Sequence, residues 1–244
     1  MLGCSETVFG GAVSALALPA ADDVARRALA VLAEICSLES SPYYRRFLSA
    51  LLRLLAADDA LMEDRGAFII RQVCVLVGAE AALAALAELL AAEPDLRFAA
   101  AAAALLGQIL LTAAELYDLR QHLRHSAPRL LSRLYPCWSH SPVALLALCL
   151  LTGNYRHCNR LINTFGDLEI TVDFLTEVDK LVQLIESPIF AFLRLELLRP
   201  DAGGRRLRGC LRGLLMLLPQ TDAFHTLRRR LQCFLCHPRA ALNT

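Results

Sequence analysis

The sequence predicts an all-α protein built as an α-solenoid of antiparallel helical hairpins, with a compact helical bundle as the alternative packing. Three observations point there. Hydrophobic residues make up 56% of the 244 positions, and Leu and Ala dominate over the β-branched residues that strands favour. No segment alternates polar and apolar residues with the period of two that a half-buried strand requires. Helical stretches of roughly 10 to 18 residues are joined by turns of about two to six, which suits hairpins stacked side by side in the HEAT or armadillo manner. The stretches show no clean period, so the fold class rests on pattern and not on self-similarity.

The elements follow in order. Asp22–Leu38 is amphipathic, and Ser41-Pro42 breaks it before Tyr43–Leu55. Asp58 or Asp59 caps Ala60–Val77, Gly78 ends that helix, and Ala79–Ala92 follows. Pro94 is expected just inside the next helix start, where its missing N–H matters least. Thr112-Ala-Ala-Glu115 has capping-box spacing and would restart a helix running to about Arg124. Ser126–Trp138 holds another, crossed by Pro128 and Pro136. Ser141-Pro142 opens Val143–Leu151, and Gly153 closes it.

Residues 154–190 are the densest part of the chain. A first helical pattern, from Tyr155, stops at Gly166, where left-handed backbone is expected. A second begins at Thr171, a good N-cap, with Asp173 in the first turn where negative charge suits the helix dipole. Phe174, Leu175, Val178, Leu181, Val182 and Ile185 share one broad face, and Asp173, Glu177, Lys180 and Gln183 lie on the other. So wide an apolar arc suits a helix wedged between two layers. Ser187-Pro188 then opens a helix to Leu198, Gly203-Gly204 reads as a hinge, and Arg205–Leu218 ends at Pro219. A last helix runs from Thr221 or Asp222 to about Phe234.

Charge and cysteine content bound the partners. The net charge is +1, and 24 of the 25 basic residues are arginine, Lys180 being the exception. From Arg199 onward nine arginines face two aspartates, a local +7. Such an end could meet phosphate, an anionic membrane or an acidic partner; a solvated helix face is the plainer reading. Nine cysteines scattered through apolar runs fit buried thiols in a reducing compartment better than a disulfide framework. Cys233-Phe-Leu-Cys236-His237 has the spacing of a c-type haem attachment, but two core-facing thiols closing the last helix are the simpler expectation. No second Cys/His pair has zinc-ligand spacing, so neither metal nor cofactor is expected. Met1–Ala20 lacks the charged start of a secretory signal, and the uncharged run Phe98–Ala114 reads as a buried helix rather than a membrane span.

No catalytic set emerges. Asp167, Glu169, Asp173, Glu177 and Asp179 lie on a turn and on a polar arc near Lys180, which is how a solvated face looks, not an acid/base pair. The histidines stand in no fixed relation to a nucleophile. The arginine runs Arg205–Arg212 and Arg228–Arg230 lack interleaved aromatics, so nucleic-acid binding is not expected.

The words themselves go further. LMEDRGAFIIRQVCVLV at Leu61–Val77, ILLTAAELYDLRQHL at Ile109–Leu123, most of Leu134–Leu198 and GLLMLLPQTDAF at Gly213–Phe224 closely resemble the C-terminal domain of the vacuolar protein 14 family. The resemblance covers roughly Tyr43 to Cys233. It implies a poorly matching segment over 1–40, a helical-repeat domain over 41–236 and a tail over 237–244. It further implies a non-catalytic HEAT-repeat scaffold of the phosphatidylinositol 3,5-bisphosphate complex. That complex holds a FYVE-type phosphatidylinositol 3-phosphate 5-kinase and a Sac-domain phosphoinositide phosphatase on the cytosolic face of endosomal or vacuolar membranes. The C-terminal domain is the part associated with phosphatase binding and homo-oligomer formation. The family's long N-terminal array is not in this sequence, which implies a fragment, a short isoform or a truncated gene product, and kinase docking is expected to rest on that array. The residues expected to face partners are Arg156, Asp167, Glu169, Asp173, Asp179, Lys180 and Gln183; Tyr155 and Trp138 are expected in the core. A generic adaptor that binds peptides or anionic membrane through the arginine-rich end is the alternative.

Overall fold

The computed structural model describes Gly11 and residues 22–35, 42–125, 127–166 and 171–235. The described residues form thirteen α-helices and two short 3-10 turns, with no strand, in the all-α class of stacked helical hairpins. They fall into two compact units, 1–141 and 142–244.

The first unit holds α1 (Asp22–Ile35), α2 (Pro42–Ala57), α3 (Asp59–Val77), α4 (Ala79–Ala91), α5 (Leu96–Thr112), a 3-10 turn (Ala114–Leu116), α6 (Tyr117–His125) and α7 (Pro128–Trp138). Sequence neighbours pair as α1/α2 and α3/α4, and α5 pairs with α7, the short α6 lying between them in sequence. Across the pairs α1 packs on α3 and α3 on α5, while α2 packs on α4 and α4 on α7. This two-layer alternation is the hairpin stack the sequence predicted. Small residues make it tight: α4 buries Ala82, Ala84 and Ala87 between Leu83, Leu86 and Leu90, and α5 buries Ala99, Ala102, Ala103 and Gly107 beside Leu106 and Leu110. The uncharged run is therefore a buried helix. No single helix among the described residues is long and apolar enough to cross a membrane.

Local chemistry sets most helix ends. Asp58 caps α3 by accepting from the Leu61 N–H at 3.0 Å. Gly78 follows α3 with φ of 100°, a backbone that residues bearing a Cβ avoid, and links it directly to α4. Two expectations fail in this unit. Pro94 lies ahead of α5, whose cap is Asp95, accepting from Arg97 and Phe98. The capping box at Thr112 does not form: Thr112 closes α5, its hydroxyl donating to Gln108 O. Glu115 instead meets Arg71 of α3 at 2.7 Å. Hydrogen bonds from its own backbone and from Arg71 hold the Glu115 carboxyl below the usual carboxylate range. Buried Arg120 donates to Leu110 O and Ala113 O, satisfying carbonyls at the C-terminal end of α5.

The second unit holds α8 (Pro142–Leu151), α9 (Tyr155–Phe165), α10 (Val172–Glu186), a 3-10 turn (Pro188–Phe190), α11 (Ala191–Leu198), α12 (Ala202–Leu217) and α13 (Asp222–Leu235). Helix α8 is its central rod, with every residue from Val143 to Leu151 buried. Gly153 turns the chain with φ of 72°. On one side α10 packs against both α8 and α13, and on the other α9 packs against α12. Gly166 ends α9 in right-handed backbone at φ of −63°, not in the left-handed state expected of it. Gly203 and Gly204 are no hinge: they lie in the first turn of α12, capped by Asp201 through the Gly204 N–H at 2.9 Å.

The described cysteines are free thiols: Cys74, Cys137, Cys149, Cys158 and Cys210 are buried, and Cys233 is exposed. Cys233 therefore departs from the core-facing place expected of it, while Cys236 and His237 lie outside the described residues. Burial pushes the Cys74 and Cys137 thiols up to about 12. The Cys149 thiol is raised by its hydrogen bond with Cys158 and by burial. Under native conditions at about pH 8, iodoacetamide is expected to alkylate exposed Cys233 and spare the five buried thiols, which the reagent cannot reach, until denaturant is added. Peptide mass mapping reads the pattern, and native labelling of Cys74 or Cys137 would contradict it.

Candidate partner-binding surface

Helices α9 and α10 carry the surface marked by the sequence. Thr171 caps α10 by accepting from the Phe174 N–H at 3.2 Å. The Phe165 and Phe174 rings meet edge to face at 5.3 Å and join the two helices. The apolar arc of α10 divides as its periodicity requires: Val178, Leu181, Val182 and Ile185 are buried, and Phe174 and Leu175 half-buried. On the opposite arc Asp173, Lys180 and Gln183 are exposed and Glu177 is half-buried. Burial raises the Glu177 carboxyl, with Lys180 opposing that shift and Asp173 adding to it.

The seven residues expected at the partner surface separate into three groups. Arg156, Asp173 and Lys180 are exposed. Asp179 is half-buried and bonded within the unit: it accepts from the Thr221 hydroxyl at 2.7 Å and from the Gln183 amide at 2.8 Å. Those bonds tie α10 to the start of α13 and hold Gln183 against its own helix. Asp167 and Glu169 lie outside the described residues. Tyr155 and Trp138 are buried, as expected.

Much of the arginine content works inside the fold. Arg230 of α13 holds Glu186 of α10 through two parallel bonds, Nε to Oε1 at 3.2 Å and Nη2 to Oε2 at 2.5 Å, the bidentate geometry that makes an arginine–carboxylate pair specific. Arg194 donates to the carbonyls of Glu186 and Ser187 at the end of α10. Arg208 donates to Leu197 O at 2.6 Å and Arg199 O at 3.1 Å at the end of α11. In these last two cases a guanidinium satisfies carbonyls that a helix terminus leaves without partners. The basic C-terminal third is thus only partly a solvated face. Sequence reasoning missed one feature: a cleft between α9 and α12 lined by Arg156, Asn159, Arg205 and Arg206. Its signal was the spacing of Gly209 and Gly213, one turn apart on α12.

Stacked helical hairpins and an exposed polar arc on an otherwise packed helix define a helical-repeat protein. The sequence model described as "Vacuolar protein 14 C-terminal Fig4p binding" matches residues 59–234. The chain belongs to this vacuolar protein 14 family. It is 43% identical over 215 residues to "Protein VAC14 homolog" of Schizosaccharomyces pombe, covering 87% of this chain and 26% of that protein. It is 41% identical over 217 residues to "Protein VAC14 homolog" of Arabidopsis thaliana, covering 86% and 29%. To "Vacuole morphology and inheritance protein 14" of Saccharomyces cerevisiae it is 34% identical over 206 residues, covering 84% and 23%. The chain thus spans about a quarter of the length of the curated relatives it matches. No solved structure matches it. The family description is of a binding region, a non-catalytic role.

Proposed function

We propose that this chain is the partner-binding part of a non-catalytic scaffold in phosphatidylinositol 3,5-bisphosphate metabolism, and that it binds a Sac-type phosphoinositide phosphatase and copies of itself. The match of residues 59–234 to a region described by Fig4p binding carries this reading. The scaffold works by effective concentration, since two partners held on one body meet nearly intramolecularly. The assembly operates on the cytosolic face of endosomal or vacuolar membranes, and a FYVE-type phosphatidylinositol 3-phosphate 5-kinase joins it through other parts of the full-length scaffold. On this chain the exposed residues Asp173 and Lys180 of α10 are the contacts we favour.

Co-expression with a Fig4p-type phosphatase tests the proposal. The 244-residue chain is expected to co-purify with the phosphatase, and charge reversal by Asp173→Lys with Lys180→Glu to weaken capture about tenfold, about 1.4 kcal/mol. Helix content should be unchanged, because both side chains are exposed. Failure of the unaltered chain to capture the phosphatase would sink the reading. Light scattering on the same sample reads self-association, and a strictly monomeric species would remove that half of it.

A further inference from the structure

We propose that the cleft between α9 and α12 is an anion site that takes a phosphomonoester group. The two helices meet unusually closely. A Cβ on Gly209 would stand 2.9 Å from Asn159 Oδ1, and one on Gly213 would stand 2.6 Å from Ile162 Cγ2. The Asn159 amide donates to Tyr155 O at 2.7 Å on its own helix and to Arg206 O at 2.8 Å on α12, locking the crossing. Beside it opens a cavity of about 350 Å³ lined by Arg156, Asn159, Ala202, Arg205, Arg206 and Gly209. Three of those six residues are arginines and none is acidic.

The surrounding charges set these arginines apart. Arg120, Arg194, Arg208 and Arg230 all serve carbonyls or carboxylates of the fold. Arg156 and Arg206 make no side-chain hydrogen bond or ion pair among the described residues, and Arg205 reaches only Pro200 O, at 2.8 Å. Asp201, the residue just before α12, is already held by the Gly204 N–H and by Arg199 at 2.7 Å. Three like charges around one small cavity repel one another, and a bound anion offsets that repulsion. Guanidinium offers a planar fork that matches phosphate oxygens two at a time, and it stays charged at any physiological pH. A phosphomonoester carries a charge of about −1.5 to −2 near neutral pH and three acceptor oxygens, which three arginines match better than they match a lone carboxylate. The volume lies at the small end for ligand pockets, roughly 300–1,000 Å³, a size that suits a compact headgroup.

The 244-residue chain tests this with no phosphatase present, so its failure is separate from failure of the scaffold reading. Two probes are used at constant ionic strength: inorganic phosphate, and phosphatidylcholine vesicles containing phosphatidic acid, with phosphatidylserine vesicles as the control that lacks a monoester. Saturable binding is expected, weakened roughly tenfold by Arg156→Gln or Arg206→Gln, the size of a lost charge-assisted hydrogen bond. Arg228→Gln, an exposed residue of α13 outside the cleft, should leave binding unchanged. Binding of free phosphate alone assigns a soluble ligand; preference for phosphatidic acid over phosphatidylserine vesicles, lost in the same variants, assigns a lipid headgroup. Absence of saturable binding in both arms overturns the proposal. So does an Arg228→Gln loss as large as that of Arg156→Gln, which would mean diffuse charge.

Discussion

Replacing Gly204 with alanine is expected to destabilise the chain by about 3 kcal/mol, the upper part of the usual overpacking range. A Cβ there would stand 2.2 Å from Arg199 O and 2.8 Å from Glu196 O, both backbone atoms. Neither can swing aside as a side chain would. Arg199 O is held in place by Arg208, which also holds Leu197 O, and Gly204's own N–H is held by Asp201. Moving either backbone therefore breaks the contact of α12 with the end of α11. Gly203→Ala is the internal control. Its Cβ would meet only the Asp201 side chain, at 3.3 Å, and alanine's better helix propensity gains up to about 1 kcal/mol. Urea unfolding midpoints should fall sharply for the first variant and stay level or rise for the second. Equal midpoints would show that the chain relaxes around residue 204 and that the close approach carries no energy.

That glycine pair also shows where sequence reading stops. Two adjacent glycines are the strongest local signal for a break, and yet they open a helix, because the tertiary approach of two carbonyls demands a residue with no Cβ. Some caps in which one side chain answers an amide two or three residues on were legible, Asp58, Thr171 and Ser187 among them, while Asp95 and Asp201, which cap in the same way, were hidden by the Pro94 and Gly203-Gly204 signals beside them. The capping box at Thr112 was a false signal, because Arg71, distant in sequence, competes for Glu115. The same limit governs the candidate surface. Exposure of Asp173 and Lys180 follows from helical periodicity alone. Asp179 lies near the edge of the same arc, and only Thr221, 42 residues away, turns it into an internal tie. The roles of the arginines were invisible for the same reason: a guanidinium reaching a carbonyl 7 to 11 positions away follows no period. The cleft needs Asn159 and Arg206, separated by 47 residues, to be brought side by side.

Phe190→Ala is expected to cost about 3–5 kcal/mol, the range for removing a fully buried aromatic ring. Phe190 has no exposed surface and closes the 3-10 turn Pro188–Phe190 between α10 and α11, where Ser187 accepts from the Ile189 N–H at 3.3 Å. Its ring lies 6.0 Å from that of Phe192 on α11. Alanine would leave a hole at the turn that fixes how α10, which bears Asp173 and Lys180, leads into α11. Since whole domains are stable by only about 5–15 kcal/mol, a loss of this size reaches function by way of folding. Phe190→Leu keeps most of the volume and should cost about 1.5 kcal/mol or less. Phosphatase capture should therefore fall with the urea midpoint in Phe190→Ala and survive in Phe190→Leu, whereas the Asp173→Lys and Lys180→Glu pair loses capture at an unchanged midpoint. If Phe190→Ala unfolds at the same urea concentration as the unaltered chain, the turn is not part of the core that holds α10 in place.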